Sequence, residues 1–215
     1  KVSLRNILGF RQLKVNPEKE TEKYSRPQRL RMALEELGPT YVKLGQLLSI
    51  RPDLLGAEYI LELEKLQNSV PAFPFAEVLE VLANAGIDIE RDFNGFNEIP
   101  LAAASIAQAH EAYLKNGQRV VIKVQRPGID KTIETDLEIL ADLSALLEKR
   151  TAWGRFYHIT EIVEELAQAI RNELDFMQEG RNADIFRKNF ANERSVKIPR
   201  VYWEFSSRKV LTLEY

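Results

Sequence analysis

The sequence predicts an α+β fold in which helical segments and antiparallel hairpins alternate along the chain. Three observations predict it. Apolar residues recur at helical spacing over residues 26–85, apolar strands flank an Asn-Gly pair at residues 116–117, and two long helical patterns begin after residue 128. The chain has 215 residues, of which 45% are hydrophobic and 29% charged, which is usual for one globular domain or two small ones.

The first part of the chain is predicted to be helical after a polar start. Residues 1–25 are interpreted as an N-terminal segment and linker, because a polar run precedes Ser25. Ser25 is the expected N-cap of a first helix, which Gly38-Pro39 ends. Three further helices are expected over residues 39–50, 57–67 and 74–85.

Two hairpins and two long helices are predicted for the rest of the chain. Asn116-Gly117 is a strong signal for the tight turn of the first hairpin. Leucine and isoleucine then recur at helical spacing before a second pair of short apolar strands. The predicted strands and long helices are, in chain order, residues 102–113, 119–125, 129–150, 160–190, 197–203 and 209–215.

Composition excludes several classes of function. The chain has no cysteine, so disulfides, thiolate zinc sites and cysteine nucleophiles are excluded, and its two histidines are too few for a histidine-based metal centre. Thirty basic and 32 acidic residues give a net charge of -2, so charge offers no argument for a nucleic-acid partner. No apolar run approaches the ~18 residues of a membrane span, and no Walker-type phosphate loop is present.

A lysine lies inside an apolar strand. Residues 120–124 are apolar on both faces apart from Lys123, so this strand is predicted to be central and buried. An unpaired ammonium there would cost on the order of several kcal/mol, so the fold or a ligand must supply negative charge. The common alternative is a lysine that extends into solvent at a sheet edge.

Two further patterns have both a functional and a structural interpretation. On the helix over residues 39–50, Lys43 and Gln46 share a face with Leu47, while other apolar residues mark a second face. A helix with two such faces is expected to be sandwiched, with Lys43 and Gln46 in an interface. The alternative is a solvated pair at a helix end. The acidic run at residues 173–179 is most often a charged solvent face.

Four motifs together resemble the UbiB/AarF-type atypical kinases in their order and approximate spacing. They are Lys43-Leu44-Gly45-Gln46, the alanine-rich run from Pro100 to Gln108, Val121-Ile122-Lys123 and Glu173-Leu174-Asp175. Residues 49–53 and 66–71 are also similar to that family, and the resemblance covers roughly residues 27–215. It implies a protein-kinase-like N-lobe, with a small antiparallel sheet and long helices, preceded by a helical extension packed over the nucleotide cleft.

The resemblance also implies roles for individual residues. Lys123 resembles the strand lysine that touches nucleotide phosphates, and Glu179 resembles the helix glutamate that pairs with it. Lys43 and Gln46 resemble residues of the extension that enter the cleft, and the acidic pair that holds them would be Glu173 and Asp175. In one straight helix Glu173 and Glu179 would point about 120° apart, so either the helix bends or one assignment fails.

The same resemblance implies a nucleotide loop and a hinge. Ala102, Ala103, Ala104 and Ser105 resemble an alanine-rich loop at the mouth of the cleft, where alanine restricts the backbone more than glycine would. Glu214 and Tyr215 are hinge candidates whose backbone would meet adenine. Nothing in the chain matches a catalytic-loop aspartate or a metal-binding aspartate, so Mg²⁺ ligands are expected in a C-lobe that this segment lacks.

Three hypotheses for function remain open. The first is the nucleotide-binding half of an ATP- or ADP-binding atypical kinase or ATPase, with residues 26–97 as the extension and 98–215 as the N-lobe. The resemblance connects it with coenzyme Q or other prenyl lipids, quinone-biosynthesis proteins and the inner face of a membrane, in the cytoplasm. The second is a nucleotide-gated scaffold without phosphotransfer. The third, a small-molecule phosphotransferase, is disfavoured by Lys43 and Gln46 in the extension.

Overall fold

A computed structural model describes residues 24–66 and 71–215 of the chain. The predicted N-terminal segment therefore lies outside the described residues up to position 23, as do positions 67–70 of the family-like motif at 66–71. Among the helices in these two ranges, none combines the length and the apolar character that a bilayer crossing requires.

The first three helices lie within the predicted extension, residues 26–97. They are α1 Arg26–Leu37, α2 Pro39–Leu48 and α3 Ala57–Leu63. Ser25 is the N-cap of α1, as predicted, because its hydroxyl accepts from the Gln28 N–H while the Gln28 side chain accepts from the Ser25 N–H at 2.9 Å. Gly38, with φ 108°, allows the sharp turn between α1 and α2. The small buried cluster of the extension consists of Leu34, Leu63 and Leu66.

An antiparallel sheet of five strands follows. The strands are β1 Phe93–Phe96, β2 Ala102–Ala103, β3 Ala107–Leu114, β4 Arg119–Gln125 and β5 Val210–Glu214. The order is β1-β3-β4-β5, and β2 also pairs with β3, so β4 is central as predicted. Gly117, with φ 83°, lies in the predicted turn between β3 and β4.

Two predicted strands differ from the observed ones. The strand predicted over residues 102–113 is interrupted, because the Ala104 N–H donates to the Ala107 carbonyl at 2.7 Å and closes a tight turn between β2 and β3. The strand predicted over residues 197–203 is reduced to a single bridge between Val201 and Leu213. A short 3-10 helix over Trp203–Phe205 then leads toward β5.

Six helices complete the described fold. They are α4 Phe75–Asn84, α5 Ile89–Asp92, α6 Ile129–Arg150, α7 Ala152–Tyr157, α8 Ile159–Leu174 and α9 Phe176–Asn189. The bounds of α6 match the predicted helix. The single helix predicted over residues 160–190 is wrong, because the chain breaks at Asp175, which has φ -97° and ψ 92°.

The sheet is packed on both faces. The side chains of Val120, Ile122 and Val124 point to one face, where α4 covers them, and each is 0% exposed. The opposite face packs on α6, α8 and α9, and the apolar residues there include Ile133, Ile170, Leu174, Phe176 and Leu211. Since side chains alternate along a strand, Lys123 and Gln125 both point to this second face.

Helix α2 is sandwiched between the leucines of α1 and the α3 segment on one side and the lobe on the other, as its two faces predicted. Its Leu47 packs against the cluster formed by α6, α8 and α9, while its Tyr41 and Val42 pack against the leucines of the extension. The buried Thr40 hydroxyl donates to the Asp136 carboxylate on α6. These contacts hold α2 in place against the lobe.

Candidate functional site

A cavity of about 680 Å³ opens between α2, the β2–β3 turn, β4 and the corner between α8 and α9. Its volume lies in the range of small-molecule sites. Charged and amide side chains share the wall with the residues of the turn. The lining residues are Lys43, residues 104–107, Lys123, Asn172, Glu173, Gln178, Glu179 and Asn182.

Lys123 extends from β4 toward α9. Its side chain is 31% exposed, and its Nζ lies 2.7 Å from Glu179 Oε2. The same ammonium lies 4.6 Å from the ring centre of Phe176, which is fully buried. The prediction of a half-buried lysine with a carboxylate in reach is therefore confirmed.

Lys43 enters the cavity from α2. Its Nζ lies 2.5 Å from Glu173 Oε2, although 130 residues separate the two in the sequence, and the lysine side chain is 17% exposed. Burial lowers the pKa of Lys43, the charge of Lys123 lowers it further, and Glu179 partly offsets this. The expected contact between Lys43 and the acidic segment is present.

The other two residues expected beside Lys43 have structural contacts. Gln46 donates from Nε2 to the Leu66 carbonyl at 3.1 Å, and its Oε1 accepts from Lys43 Nζ at 3.4 Å. Asp175 is the N-cap of α9, since its Oδ1 accepts from the Met177 N–H at 3.0 Å. Of the expected acidic pair, only Glu173 contacts Lys43. Asp175 lies at the break and caps the helix that follows.

The break at Asp175 brings Glu173 and Glu179 to the same cavity. Glu173 is next to the last residue of α8, and Glu179 lies in the first turn of α9. A straight helix would have separated their directions by about 120°. Of the two alternatives left open by the sequence, a bend between the glutamates is the one observed.

The alanine-rich segment divides between a strand and the cavity wall. Ala102 and Ala103 pair with Ala109 and Gln108 of β3 as the short strand β2. Ala104 and Ser105 line the cavity, and Ser105 is 3% exposed. Among the described residues other than glycine, only His158 has a positive φ, so the turn uses ordinary backbone conformations.

The two hinge candidates lie at the end of β5, outside the cavity wall. Glu214 pairs with Val120, three residues along β4 from Lys123, which corresponds to about 10 Å. Its carboxylate binds Lys197 Nζ at 2.9 Å. The ring of Tyr215 lies 3.4 Å beneath the guanidinium of Arg119.

Three amide side chains of the wall were not predicted from the sequence. Asn172, Gln178 and Asn182 face the cavity, and Gln178 Nε2 donates to Asn182 Oδ1 at 3.0 Å. Asn182 follows Glu179 at the i+3 spacing that places two residues on one helix face. The spacing could have indicated that Asn182 faces the cavity only if the start of α9 at residue 176 had been known.

No metal site is present in the described ranges 24–66 and 71–215. No group of three or more histidine, aspartate or glutamate side chains lies close enough there to hold an ion. The cavity instead contains two ammonium groups, each held by one carboxylate. Such an arrangement is suited to an anionic ligand that can replace or join the carboxylates.

Comparison with known proteins gives a family and its relatives. The model of the "ABC1 atypical kinase-like domain" matches residues 65–215, which is more than half of the chain. A "Probable protein kinase UbiB" from Cellvibrio japonicus is 45% identical over 191 residues, covering 88% of this chain and 35% of the relative. The Arabidopsis thaliana protein "ACTIVITY OF BC1 COMPLEX KINASE 7, chloroplastic" is 44% identical over 86% of this chain and 27% of its own length.

A solved structure agrees with the fold. A Mycobacterium tuberculosis protein, described as "The complex structure of Rv3197-erythromycin", matches with a TM-score of 0.60 and 29% identity. The match covers 91% of this chain and 49% of that one. The chain spans about a third of the length of the curated relatives it matches. The predicted architecture, a kinase-like N-lobe with a helical extension, is confirmed.

Proposed function

Since this chain belongs to the ABC1 atypical kinase-like family, we propose that its cavity binds the phosphates of ATP or ADP. The observation that carries the proposal is the convergence of Lys43 and Lys123 on one cavity from distant parts of the sequence. Residues 104–107 line the same space, and the Ser105 hydroxyl adds a hydrogen-bonding group. The chain is then the nucleotide-binding part of an atypical kinase or ATPase.

The ion pairs hold the lysines in place for phosphate. Glu179 fixes Lys123 at 2.7 Å and Glu173 fixes Lys43 at 2.5 Å, so neither ammonium needs to be ordered when the ligand arrives. Phosphate oxygens accept charge-assisted hydrogen bonds from the same ammonium groups. Mg²⁺ would neutralise phosphate charge if it accompanies the nucleotide, but the described residues include no cluster that could hold it.

The extension limits what can reach the phosphates. Helix α2 lies against the lobe through Leu47 and contributes Lys43 to the cavity wall. A folded protein substrate would have to displace α2, so we propose hydrolysis of ATP or transfer to a small or lipid-associated acceptor. Support for coenzyme Q or other prenyl-quinone biosynthesis, and for a location at the inner face of a membrane, comes from the family resemblance.

A nucleotide-gated scaffold without phosphotransfer is the second candidate. The observation that favours it is the position of Lys43, which places a side chain of the extension inside the cavity. A ligand that binds there would change the contacts between α2 and the α8–α9 corner. Nucleotide binding would then change the surface that a partner protein recognises, without any chemical step.

Titration calorimetry with ADP and ATP tests nucleotide binding. Lys123→Met removes one charge-assisted contact, so the dissociation constant should rise at least tenfold. Lys149→Met removes the same charge from the exposed last turn of α6 and is the matched control, with affinity unchanged. Equal affinities of wild type and Lys123→Met, or no binding at millimolar nucleotide, would overturn the proposal.

A further inference from the structure

The corner between α8 and α9 has one buried polar contact with the sheet. Gln125, the last residue of β4, is 1% exposed and donates from Nε2 to the Leu174 carbonyl at 2.8 Å. Leu174 is the last residue of α8, where the final carbonyls lack helical partners. The amide of Gln125 therefore satisfies a carbonyl that the break leaves free.

Two neighbouring residues on one face of β4 contact the two sides of the break. Lys123 and Gln125 point to the same face of the strand, about 6.6 Å apart at two residues' separation. Their partners lie on opposite sides of the break: Leu174 ends α8, and Glu179 lies in the first turn of α9. Two adjacent same-face residues of β4 thus hold the two sides of the break at a fixed separation.

A second hydrogen bond holds the corner from the segment that precedes β5. The Phe176 N–H, at the start of α9, donates to the Arg208 carbonyl at 3.1 Å. The Phe176 ring is 0% exposed and lies under the Lys123 ammonium. The backbone on both sides of Asp175 is therefore hydrogen-bonded, through Leu174 to the last residue of β4 and through Phe176 to the segment just before β5.

From this geometry we infer that Gln125 is a positioning residue of the cavity. It does not contact the lysines. It holds the helix break that directs Glu173 toward Lys43 and Glu179 toward Lys123. Without the amide, the Leu174 carbonyl would be buried and unpaired, and the corner could open or shift toward a continuous helix. This inference rests on the proposed nucleotide site for its binding measurement alone.

Gln125→Met tests the inference, because methionine keeps the volume and apolar contacts but cannot donate a hydrogen bond. Amide hydrogen exchange at residues 174–180 should accelerate about tenfold or more, while exchange in β3 and β4 stays slow. The dissociation constant for ADP should rise about tenfold. Both changes follow from losing the fixed separation between the two glutamates.

Gln108→Met is the matched control. Gln108 is also buried, on β3, and its amide also binds a backbone, that of Phe73. Its loss should lower the melting temperature without accelerating exchange at the corner. Unchanged exchange at the corner in Gln125→Met, uniform acceleration throughout, or an open corner with unchanged ADP affinity would each overturn the inference. A wild type that binds no nucleotide contradicts the proposed function, and the exchange comparison still decides the role of Gln125.

Discussion

Among single residues, Lys43 should make ligand binding in the cavity depend on pH. Its pKa lies below the usual value near 10.5 because the side chain is desolvated and Lys123 is nearby. Phosphate binds the charged ammonium, so ADP affinity should fall as pH rises through the Lys43 pKa of the free protein. Calorimetric titrations from neutral pH up to about 10.5, the ordinary lysine value, measure the fall.

Lys43→Arg separates this effect from general alkaline loss of structure. A guanidinium stays charged throughout that pH range, so the variant should bind ADP with a flatter pH dependence. Melting temperatures at each pH show whether both proteins remain folded. Parallel pH dependences in the two proteins would contradict the role assigned to Lys43.

Gly180, on α9, packs so closely against its neighbours that there is no room for a side chain. A Cβ there would lie 2.7 Å from the Trp203 ring and 3.2 Å from Leu211. The indole ring is rigid, so it cannot bend away from the added methyl group as a flexible side chain can. Overpacking costs ~1–3 kcal/mol, of which the better helix propensity of alanine recovers about 1 kcal/mol. Gly180→Ala should therefore lower the free energy of unfolding by up to ~2 kcal/mol in urea titrations.

Gly56→Ala is the control for that substitution. Gly56 has nothing within 4 Å of the added Cβ, and its φ of -65° is available to every residue. The free energy of unfolding should change by less than about 1 kcal/mol. A larger loss at Gly56 than at Gly180 would mean that the contact with Trp203 is not the cause.

Single residues of the site were predictable to different degrees. Lys123 could be singled out because a charge in an apolar central strand needs a partner, and Glu179 supplies it. Asn172 and Asn182 could not be found, because their direction depends on a helix break that the apolar periodicity does not show. The resemblance indicated Asp175 as part of an acidic pair, yet its carboxylate caps α9.

At the scale of elements, β3 is tied to the segment before α4 by a buried polar network. Gln108 binds the Phe73 N–H at 3.0 Å and donates to Phe73 O at 3.3 Å and to His110 Nε2 at 3.0 Å. Since an amide nitrogen only donates, His110 Nε2 accepts, and its Nδ1–H donates to Asn97 O at 2.9 Å. The imidazole is therefore neutral in the folded state.

This network predicts a loss of stability in mild acid. Burial lowers the pKa of His110 below 6.5, and the hydrogen bond to Asn97 opposes this only in part. The unfolded chain takes up the proton first, so the free energy of unfolding should fall as pH drops below about 6.5, by up to ~1.4 kcal/mol per pH unit. Urea titrations between pH 5 and 8 measure the slope.

Two substitutions test whether His110 causes this pH dependence of the free energy of unfolding. His110→Gln removes the titrating ring and should flatten the dependence, even though the protein starts out less stable. His158→Asn removes the other histidine, whose side chain is 65% exposed at a helix end, and should leave the slope as in wild type. A wild-type slope that persists in His110→Gln would show that other groups cause it.

The break between α8 and α9 depends on the cap supplied by Asp175. Asp175→Ala removes the acceptor for the Met177 N–H, so it should cost about 1 kcal/mol of stability. Asp175→Asn keeps a capping oxygen and should lose much less. Thermal unfolding measures both, and equal losses would argue that the charge of Asp175 matters more than its hydrogen bond.

Elements were predictable where local signals agree with packing. The capping box at Ser25, the Asn-Gly turn and the apolar stripe of α6 each fixed an element near its observed bounds. The apolar helical pattern continues across Asp175, so periodicity alone hides the break, and the hydrogen bond from Gln125 to the Leu174 carbonyl joins distant segments. The segment 197–203 has apolar residues but only one bridge to β5.

For the whole molecule, polar contacts join the extension to the lobe as well as apolar packing. Arg51, after α2, binds Glu165 on α8 at 3.2 Å, Thr40 binds Asp136, and Lys43 binds Glu173. These contacts bridge segments about a hundred residues apart, which no local pattern can predict. The family resemblance indicated that the extension lies over the cleft, and the packing of Leu47 agrees with that arrangement.

The central claim is that the cavity holding Lys43 and Lys123 binds nucleotide phosphates. Backbone amide shifts of the ¹⁵N-labelled protein, recorded during an ADP titration, test it most directly because they locate the ligand without any substitution. The account predicts saturable shifts concentrated at residues 104–107, at Lys123 and at Glu179, with one dissociation constant. Saturable shifts confined to other surfaces, or none at these positions at millimolar ADP, would contradict it.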